Sequence, residues 1–117
     1  MAVDFSKFQL VLEALVEARQ EGERAAAADT TTAATDDQDC YPRGIAIDVP
    51  RGDPVWPSLR FLAKHLDWVR LASGPVRLFI LPEKKVRFRL AEVAHLTASA
   101  AALTKRGIKC DAEVHYR

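Results

Sequence analysis

Apolar side chains recur at helical spacing along residues 1–27. In DFSKFQLVLEALVEARQEGERAAAA, Phe5, Phe8, Leu12, Leu15 and Arg19 fall on one stripe, widened by Val11 and Val16. Glu13, Glu17, Glu21 and Arg24 cover the other side. Asp4 stands at the N-cap position, and Gly22 costs about 1 kcal/mol inside a helix, so fraying is expected beyond it. Residues 28–43 come next. Their opening run, ADTTTAATDDQD, holds no large apolar side chain and cannot offset its ordering entropy by burial. It reads as a flexible acidic linker. Asp36, Asp37 and Asp39 lack the alternating ligands, central glycine and closing glutamate of an EF-hand loop.

From residue 44 to 117 the pattern is denser. GIAIDVP alternates Ile45, Ile47 and Val49 against Ala46 and Asp48, as a half-buried strand does, and Pro50 stops it. Asp53 and Pro54 then open a helix, VWPSLRFLAKHLDWVRLA, with Val55, Leu59, Leu62, Leu66 and Val69 on one stripe and Ser73-Gly74-Pro75 closing it. VRLFILPEKKVRFRL reads as two strands about the turn Pro82-Glu83-Lys84-Lys85. AEVAHLTASAAALTKRG is a third helix, with Val93, Leu96, Ala100 and Leu103 inward and Gly107 at its end. No glycine marks a helix-turn-helix break at Leu96-Thr97-Ala98-Ser99. IKCDAEVHY alternates again. The order β-α-β-β-α-β predicts an α+β fold of ferredoxin-like type. It comprises an antiparallel sheet with two helices on one face, plus the N-terminal amphipathic helix on its linker.

Charge changes this picture more than size does. Residues 1–53 hold eleven acids and five bases, whereas residues 54–117 hold twelve bases and five acids, nets of −6 and +7. Such polarity marks either two halves that face each other or a surface for an acidic partner. On the outward sheet face, Asp48 is expected between Lys85, Arg87 and Arg89 on one side and Lys109, Asp111, Glu113 and His115 on the other. A salt-bridged face accounts for this pattern without a ligand. The alternative is a nucleic-acid surface on the basic half, using Lys84, Lys85, Arg87, Arg89, Lys105, Arg106 and Lys109 against phosphates. The RNA-recognition signature is absent, and Phe88 is expected in the core.

Chemistry is thinly supplied. His65, His95 and His115 show no metal spacing, Ser73 and Ser99 have no nucleophile-elbow context, and no cofactor or metal is implied. Cys110 falls on the core side of its strand, and Cys40 lies in no C-x-x-C pair. Glu113 and His115, two apart on one strand face, are the nearest approach to an acid/base pair. Trp56, Phe61 and Trp68 lie just off the core stripe of their helix, with Arg60 and Lys64 beside them. They are either a partner-binding set of hot-spot type or the packing surface for the N-terminal helix. The N-terminus lacks a cationic start followed by an apolar stretch, and no run has the length of a membrane span. The expectation is a cytoplasmic, non-enzymatic, protein-binding or regulatory module. Its partner is another protein or a second copy of itself.

Overall fold

The computed structural model describes residues 5–28, 40–72, 76–84 and 89–116. Its elements are α1 (Phe5–Ala28), β1 (Cys40–Ile47), α2 (Val55–His65), β2 (Val69–Ala72), β3 (Arg77–Ile80), α3 (Arg89–Lys105) and β4 (Cys110–Tyr116). Four strands form one antiparallel sheet in the order β2-β3-β1-β4. The first and third strands are central neighbours, and the fourth lies beside the first.

Alternation decides which way each strand faces. Val69, Leu78, Ile80, Ile45 and Cys110 are buried on the helix side, whereas Arg70, Asp111 and His115 are exposed on the other. β1 carries an irregularity between Pro42 and Gly44, with Gly44 at φ 106°. Pro42 lacks an N–H, and it sits where β1 pairs with β4 beyond the recorded register with β3. A side chain at Gly44 would strike Phe79 Cζ at 2.9 Å, so the phenylalanine ring from β3 lies over the glycine.

Caps set the helix ends. The Asp53 carboxylate accepts the Val55 N–H at 2.9 Å, fulfilling the capping role expected of it. At the far end of α3, Ile108 N–H reaches Leu103 O and Gly107 N–H reaches Thr104 O, both at 3.0 Å, with Gly107 at φ 92°. This is a Schellman closure, and Leu103 and Ile108 are both buried beside it. α3 runs unbroken through Leu96–Ser99.

Several boundaries depart from the sequence expectation. The second helix stops at His65, and Leu66 is already extended at φ −108°, ψ 123°. Val69–Ala72 is β2, so Ser73-Gly74-Pro75, expected to end a helix, falls between two hairpin strands. The helical stripe through Leu66 and Val69 misled because Val69 and Leu71 also fit strand alternation. The hairpin partner is Arg77–Ile80, and no strand forms at Arg89 and Leu90, which open α3 instead. Lys85, Val86, Arg87 and Phe88 lie outside the described residues. The neighbour of β1 is therefore β3, and Asp48 meets Lys109 at 3.2 Å rather than a basic strand. Ala28 still belongs to α1 and Cys40–Arg43 to β1, narrowing the expected linker to residues 29–39, which are not described.

α1 is the largest surprise. Its buried positions are Val11, Ala14, Leu15, Ala18 and Gly22, a face rotated from the stripe of large residues toward the small ones. It packs against both α2 and α3, and Val11, Ala14, Leu15 and Ala18 belong to the same core cluster as Ile45, Leu59, Leu78 and Leu103. Leu15, at 0% exposure, contributes roughly 2–3 kcal/mol by burial. The helix does not end at Gly22. That residue is the crossing point with α3, where an added Cβ would lie 2.5 Å from Ser99 Oγ and 2.9 Å from His95 O.

Candidate functional site

The aromatic set divides between the interior and the surface. Trp56 is 9% exposed, and its Nε1–H donates to Val49 O at 3.2 Å and Pro50 O at 3.0 Å, pinning the loop that leads into α2. Trp68, in the turn after α2, is half-buried under the Arg19 guanidinium, 4.8 Å from its ring centroid. Arg19 in turn donates from Nε to Leu81 O at 3.0 Å and lies 3.6 Å from Glu23. Both tryptophans therefore serve internal packing, the second of them beneath the N-terminal helix.

Phe61 differs. It remains 43% exposed, although it meets Phe8 edge-on at 5.5 Å and His65 at 4.4 Å. On α1 the same flank continues through Leu12 and the exposed Val16 to Phe5, which is 84% exposed. At 100° per residue, Phe5, Phe8, Leu12 and Val16 share one stripe. The result is an apolar furrow between α1 and α2, with Arg60, Lys64 and His65 exposed along its α2 side. α2 carries no acid between Val55 and His65. The rim is basic.

The cations read from the sequence lie on several elements, where they are described at all. Lys84 is exposed after β3, Lys85 and Arg87 lie outside the described residues, and Arg89 opens α3. Lys105 is exposed at the end of α3, whereas Arg106 is held by Glu17 and by Glu13 at 3.9 Å. The hydrogen bond to Glu17 pushes the Arg106 pKa up. Lys109 faces Asp48.

Two nucleophile or base candidates are interior groups. Cys110 is buried, and loss of hydration raises its thiol pKa despite Thr104 Oγ1 at 3.6 Å. His95 is 4% exposed at the α1–α3 crossing. Burial lowers its pKa, Glu23 opposes that shift and Arg19 adds to it. Its Nε2 has no hydrogen-bond partner, while neighbouring Ser99 donates to Ala18 O at 3.0 Å. Among the described residues, no three His, Cys, Asp or Glu side chains converge on a metal position. No described helix is long and apolar enough to cross a membrane.

Sequence reasoning missed two features. Phe79 stands on the outward sheet face, over Gly44, because its neighbours Leu78 and Ile80 take the core side of β3. The near-repeat VRLA and VRLF about Ser73-Gly74-Pro75 was the available signal. The furrow needed knowledge of how α1 is rotated. Comparison with family models, with curated proteins and with solved structures finds no match.

Proposed function

We propose that this chain is a non-enzymatic, cytoplasmic protein-binding module of ferredoxin-like fold, working through the furrow between α1 and α2. The carrying observation is Phe5 and Phe61, large apolar side chains left open on adjoining helices beside Arg60 and Lys64. Exposed aromatics with arginine nearby are the residues on which association energy concentrates. The antiparallel order β2-β3-β1-β4 supports the fold assignment. The enclosed, high-pKa thiol and the enclosed imidazole support a non-enzymatic role.

A second copy of the chain is the simplest partner. Its α1 offers the same apolar stripe of Phe5, Phe8, Leu12 and Val16. Light scattering on the full chain tests this. A dimer at micromolar concentration, reduced to monomer by Phe5→Ser with Phe61→Ser, supports the proposal. A monomeric wild type sinks self-association through this face.

A further inference from the structure

The side of the sheet turned away from the helices carries a second surface, independent of the furrow. Cross-strand pairing puts Arg70 opposite Phe79, and Gly44 lies under the Phe79 ring. Arg43, at the β1 irregularity, lines a cleft of about 480 Å³ together with Arg77, Phe79, Glu113 and His115. Glu113 is the carboxylate of that lining, and Arg77 Nη2 holds both of its oxygens at 3.0 Å. Arg43 and Arg70 are exposed, with no ion pair among the described residues. The other acids of this face, Asp48 and Asp111, lie toward the opposite end of β1 and β4, where Lys109 meets Asp48. The face is thus split along its strands, and the basic end contains an aromatic ring.

We propose that this basic end binds single-stranded nucleic acid, with a base stacking on Phe79 and flanking phosphates held by Arg43 and Arg70. Three physical requirements of such a site are met together. Gly44 has no side chain, so the Phe79 ring comes close to the backbone of a central strand while staying partly exposed, as a stacking platform needs. Arg43 on β1 and Arg70 on β2, both exposed and without an ion pair among the described residues, flank it from different strands. Arg77 pairs with Glu113 and offsets the carboxylate charge that would otherwise repel the backbone. A duplex keeps its bases stacked away from such a platform, which favours single strands.

Fluorescence anisotropy of the full chain with labelled oligo-dT and oligo-U tests this at about 50 mM salt, where backbone contacts are strong. Binding is expected to fall with salt, and Arg43→Gln or Arg70→Gln should each reduce the logarithmic salt slope by about 0.7. Phe79→Leu still covers Gly44 but cannot stack, and should weaken binding by roughly tenfold while leaving heparin binding unchanged. Lys84→Gln and Lys105→Gln, outside the cleft, should have little effect. Absence of oligonucleotide binding would overturn the proposal. So would equal affinity for duplex, or unaltered binding by Arg70→Gln and Arg43→Gln, whose exposed side chains leave the fold intact. Phe5→Ser with Phe61→Ser should leave oligonucleotide binding unaffected, so this proposal and the furrow reading fail separately.

Discussion

α1 has two flanks built on opposite plans. Toward α3 it presents Ala14, Ala18 and Gly22, and the helices come close enough that Ser99 bonds the α1 backbone directly. Toward α2 it presents Phe8, Leu12 and Phe5, and the contact is left partly open. The larger side chains make the looser seam. Small residues let two helical backbones approach, and the fit of that approach matters more to burial than the hydrophobicity of any one residue.

This contrast can be broken most sharply at Leu15. Leu15→Ala should cost about 3 kcal/mol in urea unfolding, whereas Phe5→Ala, on the same helix, should stay within about 0.5 kcal/mol. Equal losses would abolish the distinction between the flanks. Gly22→Ala is next. Helix propensity alone would stabilise by about 1 kcal/mol, yet the new methyl meets Ser99 and the His95 backbone, so a net loss of about 1–2 kcal/mol is expected. A gain in stability would show the crossing to be loose. Ser99→Ala removes the hydrogen bond to Ala18 O and should cost about 1 kcal/mol in the same unfolding measurement.

The finest probe of the tight flank is pH. Burial lowers the His95 pKa, with Glu23 favouring its charged form and Arg19 opposing it, and Glu92 lies one turn away on its own helix. Its folded pKa is lowered, so the unfolded chain binds the proton more readily between the two values. Its contribution is complete above the ordinary imidazole range and is lost as pH falls through the lowered value. Unfolding midpoints between pH 7 and pH 5 should therefore fall, and His95→Gln should flatten that slope. A wild-type slope retained in the variant would assign it to other groups.

Local signals in the sequence located much of this fold. Alternation at Ile45, Ile47 and again at Cys110, Ala112 and Val114 identified two strands, and Asp53 and Gly107 marked helix ends correctly. Residues 66–72 were misread because Val69 fits a helical stripe with Leu62 and Leu66 as well as a strand alternation with Leu71, and a Ser-Gly-Pro stop suits a helix end as well as a hairpin. Of the proposed site, Phe61, Arg60 and Lys64 were legible as an off-stripe set. Trp56 and Trp68 were not separable from them, since their burial depends on the loop carbonyls of Val49 and Pro50 and on Arg19 of a distant helix. Phe79 went unread because its face follows from a strand register that pattern alone did not supply.

The Ser99–Ala18 hydrogen bond spans 81 residues of chain. Translation proceeds at about 5–20 residues per second, so roughly 4–16 s separate the synthesis of these two partners. During that interval the sealing face of α1 has its sequence but not its counterpart. α1 is made well before α3, so the nascent chain must hold Val11 and Leu15 without that cover until α3 arrives.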